Sequence, residues 1–322
     1  MNLKNIQHKI DKNRMQFNNL LNVKIQKQNM LIEELKKMNI ELCQKIAEKD
    51  KTMVTMQKEM LDAFKDLKHI LTERNDLVKQ SNLEIKEKIN KLEQTIQKVK
   101  GISKEILWGE IFNNTIFNSS WLTDKSFSPG RWAVGYQYLY SVYRILNIAK
   151  PKSILELGLG QSTKLLSQYA QSNREIKHIV VEHDPEWIEF YKQENNLTVN
   201  TKILKLERII REYKGDNNIL AFKDFKESLH GLKFDFISID APLGAYGKVY
   251  ARIDILEILP DCLNEDFVII IDDYNRNGEK HTVNEIEQSL KRNGIVYVKG
   301  IYYGEKQCMV ICSEKLKFIC SM

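Results

Sequence analysis

Three carboxylates follow two strongly apolar runs in this chain. Phe234-Asp235-Phe236-Ile237-Ser238-Ile239 leads into Asp240, and Val268-Ile269-Ile270-Ile271 leads into Asp272 and Asp273. Short β-branched runs of this kind read as buried strands. If the two strands are parallel, both tips lie on one edge of the sheet, so the three side chains converge there. Three carboxylates in one crevice repel each other unless something cationic sits between them. A divalent ion with a preference for oxygen ligands, Mg or Mn, is the candidate cation. Such an ion could hold a hydroxyl and lower its pKa.

A second constellation precedes this one. The run Ile154-Leu155-Glu156-Leu157-Gly158-Leu159-Gly160-Gln161-Ser162 sets a glycine pair directly after an apolar strand. Glycines there let the backbone turn tightly and let a ligand approach the main chain, while a helix starting near Ser162 aims its amides at the same place. A dinucleotide-binding site would have a third Gly at position 163, which is Thr, and an apolar residue at position 156, which is Glu. An acidic Glu156 suits instead a ligand with a cationic ammonium, as in the methionine part of S-adenosylmethionine. A further run, Val180-Val181-Glu182-His183-Asp184, ends in an acidic residue that can accept from two ribose hydroxyls.

The elements that must position these groups can be read from the rest of the chain. Candidate strands are 153–157, 178–182, 201–204, 234–240, 267–272, 295–299 and 307–312, with helical patterns between most of them. The last two are joined too closely for a helical crossover and are expected to form an antiparallel hairpin at one sheet edge. The expected fold class is α/β, a Rossmann-like seven-stranded sheet with an antiparallel edge hairpin.

Residues 1–100 form a different kind of segment. They hold none of the chain's 14 Gly and 5 Pro, and they carry 21 Lys/Arg against 14 Asp/Glu. That leaves 28 against 29 in residues 101–322, so the net charge of +6 belongs to the N-terminal arm. Apolar residues in the arm recur at steps of three and four, as in Leu3, Ile6, Ile10 and later Met53, Met56, Met60, Ala63, Leu67, Ile70. This is the spacing of a long helical coiled coil, which implies a homo-oligomer. Two domains follow: a coiled-coil stalk over 1–100 and a catalytic domain over 101–322, with Gly101 as the first helix breaker. Because the basic excess is scattered along the arm, self-association is expected and no nucleic-acid partner is, with contact of the arm with an anionic membrane face as the alternative role of its charge.

No stretch is apolar and long enough to span a membrane and the first residues are polar, which gives a cytoplasmic location, peripheral at the inner membrane face if the arm binds there. Cys43, Cys262, Cys308, Cys312 and Cys320 lack CxxC spacing and are expected as free thiols.

The ELGLG and VVEHD segments, in this order, resemble motifs I and II of the class I S-adenosylmethionine-dependent methyltransferases. The resemblance implies that family's sheet and a cofactor held by Glu156, Gly158, Gly160, Ser162, Glu182, His183 and Asp240. The strand-tip carboxylates are similar to the metal site of the catechol-type O-methyltransferases, which implies metal ligation by Asp240, Asp272 and Asp273. That family has a Lys three residues past its first Asp, where this chain has Leu243, so the acceptor proton falls to Asp240, Lys248 or His281. The segment Asp240-Ala241-Pro242-Leu243-Gly244, with Gly247 and Arg252, resembles the glucuronoxylan 4-O-methyltransferases and bacterial relatives in polysaccharide synthesis. It implies a glycan or glycan-precursor acceptor, with Arg252 and Arg276 facing an acidic group and Arg131 and Trp132 as further acceptor contacts. The alternatives are a catechol-type enzyme for small diols and a non-catalytic scaffold.

Overall fold

The computed structural model describes residues 14–15, 20–21, 23–38, 40, 53–130, 133–195, 197–244 and 249–321. The chain divides into two compact units, Met1–Val99 and Lys100–Met322.

In the first unit residues 23–38 are helical, and helix α1 (Met53–Ile116) starts there and runs for 64 residues. It passes through Gly101 and Gly109 without a break, so the expected stop at Gly101 does not occur. Helical hydrogen bonding tolerates an isolated glycine at about 1 kcal/mol. At Gly109 the missing side chain is used: a Cβ there would stand 3.3 Å from the Tyr136 ring. Within the first unit Ile70, Leu77 and Leu83 are exposed.

The second unit is built on a seven-stranded sheet in the order β3-β2-β1-β6-β7-β9-β8. Its strands are β1 (Ser153–Leu157), β2 (Lys177–Glu182), β3 (Thr201–Lys205), β6 (Phe234–Ile239), β7 (Leu263–Ile271), β8 (Tyr297–Tyr303) and β9 (Gln307–Ser313). The first five are parallel, while β9 runs antiparallel to β7 and pairs with β8 in an edge hairpin. This is the Rossmann-like arrangement with an antiparallel edge.

Alternation along each strand feeds two cores, because both faces are covered. Ile154, Phe236, Val268, Ile270 and Val310 pack under the end of α1, α2 (Tyr136–Ala149) and α3 (Gln161–Gln171). Leu155, Ile237, Ile239, Ile269 and Ile311 face the other way, onto Val283, Ile286 and Leu290 of α6 (Asn277–Arg292). Helix α4 (Pro185–Glu194) seats Ile188 and Tyr191 against Leu159 and Val180. Among the described residues no helix is long and apolar enough to cross a membrane. Cys262, Cys308, Cys312 and Cys320 are free thiols, and Cys43 lies outside the described residues.

One element was not expected. Strands β4 (Arg208–Tyr213) and β5 (Asp216–Phe222) form a separate antiparallel hairpin, with α5 (Phe225–Ser228) after it. Its two-residue turn has Lys214 at φ 49 and Gly215 at φ 86, the double left-handed conformation that fits the twist of a tight hairpin. The hairpin is tied to the chain after β6 at two points. Asp216 Oδ2 accepts from the N–H groups of Val249 and Tyr250, at 2.6 and 3.0 Å, and Asp254 Oδ1 accepts from Phe222 N–H at 2.6 Å.

Candidate active site at the strand tips

The glycine loop joins the tip of β1 to the start of α3. Gly158 adopts φ +104, which disfavours any side chain, and its N–H donates to Val181 O at 2.9 Å. Gly160 is extended and faces open space, and its N–H donates to Thr163 Oγ1 at 2.9 Å. Ser162 is buried in the first turn of α3.

Glu182, at the tip of β2, staples this loop to the next one. Its Oε2 accepts from Leu159 N–H at 3.1 Å, and its Oε1 accepts from His183 N–H at 2.6 Å and Asp184 N–H at 3.0 Å. His183 Nδ1 also lies 2.6 Å from Oε1. Trp187 completes the clamp by donating its indole N–H to Leu159 O at 2.7 Å. The Leu159 peptide is therefore fixed at both its N–H and its C=O. Trp187 went unnoticed in the sequence; the available signal was its place three residues past Asp184, which caps α4 by accepting from Glu186 and Trp187 N–H.

Glu156 lies beneath the loop with a protein partner on one of its oxygens. It is fully buried, and His178 Nε2 lies 3.1 Å from its Oε2 while His178 Nδ1 lies 3.2 Å from Thr201 Oγ1. The relay crosses β1, β2 and β3 because strand alternation puts these three side chains on one face. In this relay Glu156 Oε1 is left without a hydrogen-bond partner among the described residues. A buried acceptor without a donor is costly, so it fits a cationic or N–H-bearing ligand group better than an empty apolar space.

The carboxylates do converge. The parallel ladder continues past the strand ends, with Asp240 N–H on Leu157 O at 2.9 Å and Asp272 N–H on Ile239 O at 3.0 Å. Oxygens of Asp240, Asp272 and Asp273 all lie within 4.8 Å of one another. Burial raises the Asp240 carboxyl well above the ordinary range, Arg252 opposes this, and Asp272 and Asp273 add to the rise. Asp272 is raised by burial and then by Asp273.

The cation among them is part of the chain. Arg252 Nη2 donates to Asp240 Oδ1 at 3.0 Å and to Asp273 Oδ2 at 2.7 Å, and Nη1 donates to Asp272 O at 2.9 Å. Lys306 Nζ, from the β8–β9 turn, lies 3.5 Å from Asp272 Oδ2 and 3.8 Å from Asp273 Oδ1. Two of the three carboxylates thus share one guanidinium, each through a single oxygen. Arg252 itself, expected to face an acceptor, is 3% exposed and turned inward instead. Lys306 was not foreseen, since nothing in its local sequence marks it.

The remaining expected residues are distributed as follows. Arg276 stands at the rim, 43% exposed, with Nη1 2.9 Å from Asp273 Oδ2. His281 is exposed on α6 with Nδ1 2.7 Å from Val249 O, and among the described residues no hydrogen bond or ion pair joins it to the carboxylates. Arg131, Trp132, Gly247 and Lys248 lie outside the described residues.

No protein-family model and no curated protein matches the chain. Among solved structures it is similar to the O-methyltransferase from Bacillus cereus in complex with SAH, at 13% identity and a TM-score of 0.37 over 66% of this chain and 91% of that one. It is similar to the O-methyltransferase TomG from Streptomyces achromogenes, in complex with SAM, at 11% identity and a TM-score of 0.38 over 63% and 86%. A spermidine synthase from Thermotoga maritima shares 16% identity at a TM-score of 0.35, covering 54% of this chain and 59% of that one.

Proposed function

We propose that the protein is an S-adenosylmethionine-dependent O-methyltransferase that acts on a sugar hydroxyl of a surface polysaccharide or its precursor. The observation that carries this is the clamped loop Gly158–Gly160 beside the Glu182 carboxylate, one and two strands away from the carboxylates at the β6 and β7 tips. Gly158 and Gly160 would let the cofactor lie against the main chain, Glu182 and His183 would face its ribose, and the free Oε1 of Glu156 would take its ammonium through the floor of the site. The cofactor supplies a methyl group on a positive sulfur. The chain supplies position and a proton acceptor.

Asp240 suits the second task. Burial brings its proton affinity toward neutral pH, so it can take the acceptor's proton and still be ionised often enough to do so. Arg276, half exposed beside Asp273, would hold an acidic group of the acceptor from the solvent side. The segment Asp240-Ala241-Pro242-Leu243-Gly244 supports a glycan acceptor. The exposed apolar side chains of α1 in the first unit support self-association through a coiled coil, and the basic excess of that unit supports contact with an anionic membrane face from the cytoplasmic side.

Titration calorimetry of the full chain with SAH tests the cofactor. One-to-one binding is expected, and no heat of binding would overturn the reading. Transfer of labelled methyl groups to extracted glycans, run beside simple soluble diols, tests the acceptor class.

A further inference from the structure

Three carboxylates close on one guanidinium. Besides its bonds to Asp240 and Asp273, Arg252 brings Nε to 3.7 Å from Glu279 Oε1, and Glu279 is 1% exposed. So much buried acid is strongly unfavourable without a positive partner held in place.

Two independent features show that this partner is built into the fold. Arg252 has φ 56 and Asp273 has φ 59, and both are left-handed conformations that disfavour a side-chain-bearing residue. They persist only where the surroundings hold them. The first turn of α6 also closes on the residue before Arg252: a Cβ at Gly278 would stand 2.9 Å from Ala251 Cβ and 3.2 Å from Ala251 N. Thr282 Oγ1 donates to Ala251 O at 2.5 Å from the same helix. Asp216 and the Phe222 N–H, both from the β4–β5 hairpin, fix the backbone on either side of Arg252 through Val249 and Tyr250 and through Asp254.

We propose that Arg252 is the resident counter-ion of this cluster, standing where a divalent cation would otherwise sit, so that Asp240, Asp272 and Asp273 work without a metal. A guanidinium stays protonated and presents its donors in a rigid plane. Here that plane fixes Asp240 through Oδ1 alone, and among the described residues no protein donor reaches Asp240 Oδ2. Oδ2 is thereby the oxygen presented to an acceptor hydroxyl. Arg252 acts through Asp240 and is a positioning residue. The role given to Asp240 rests on the methyltransferase reading, but the test requires neither methyl donor nor acceptor.

The experiment is a titration of the full chain with Mn2+, followed by the electron paramagnetic resonance signal of the free ion. Wild type is expected to leave that signal intact and to melt at the same temperature with and without chelator. Arg252→Met should take up Mn2+ at least roughly tenfold more tightly than wild type, because it leaves carboxylates without a cation. Asp273→Asn in that background should abolish the uptake, and Arg252→Lys, which keeps the charge, should restore exclusion. Stoichiometric uptake by wild type that Asp240→Asn removes would overturn the proposal, as would a folded Arg252→Met protein that excludes Mn2+ like wild type. If Arg252→Met shows no cooperative melt, the wild-type titration decides alone: uptake dependent on Asp240 overturns the proposal and none supports it. A failed SAH titration leaves all of these outcomes unchanged.

Discussion

Gly158 and Ala241 meet across the tips of β1 and β6, where a Cβ on Gly158 would stand 3.1 Å from the Ala241 Cβ. Gly158 also has φ +104, whereas Gly160 is extended and open. Gly158→Ala should therefore lower stability by about 1–3 kcal/mol and weaken SAH binding, while Gly160→Ala should melt close to wild type. Equal losses from the two variants in thermal melts would contradict this assignment.

Asp254 makes the stability depend on pH. It is fully buried, its Oδ2 has no partner, and burial pushes its carboxyl up to about 7 against the opposing bond from Phe222 N–H. Between the ordinary carboxylate range and about pH 7 the folded chain keeps a proton that the unfolded chain releases. Stability from this group therefore falls as pH rises through that window. Asp254→Asn keeps the acceptor for Phe222 and cannot ionise. It should be nearly neutral at about pH 3, stabilising by about 1.5 kcal/mol at about pH 5 and by up to about 4 kcal/mol at about pH 8, as read by denaturant melts across that range.

Trp187 offers a test of the clamp apart from folding. Trp187→Phe keeps the ring that stacks on Phe190 but removes the donor to Leu159 O. Because Trp187 is on a partly exposed helix, the loss should be within about 1 kcal/mol in stability. SAH affinity should drop by roughly tenfold, since one neutral hydrogen bond orders the loop. Unchanged calorimetric affinity would remove Trp187 from the site.

The arm predicts a change of mass. Sedimentation of the full chain should give an oligomer, and a chain starting at Lys100 should sediment as a monomer, if the exposed Ile70, Leu77 and Leu83 are covered by sister helices. A monomeric full chain at micromolar concentration would leave the arm without that role.

Much of the sheet was legible because buried parallel strands are nearly continuous apolar runs, and Ile154 to Leu157 and Val268 to Ile271 could be little else. The convergence of Asp240, Asp272 and Asp273 followed from the shared edge of parallel strands. What sat between them did not follow, since Arg252 reaches the cluster through a left-handed backbone and a helix packed on Ala251, both tertiary facts. The His178 partner of Glu156 did not follow either, because strand alternation joins the two side chains across strands that nothing local connects. The β4–β5 hairpin was missed although Lys214-Gly215 between alternating residues was a usable turn signal. Gly101 misled because a lone glycine costs less than a long helix gains.

The two stitches from the hairpin, Asp216 to Val249 and Tyr250 and Asp254 to Phe222, have an evolutionary consequence. The segment that carries Arg252 takes its path from an appendage outside the main sheet. A lineage could not trade this hairpin for a loop of another length and keep the same charge arrangement at the strand tips. Hairpin and arginine should therefore be inherited together, or be absent together.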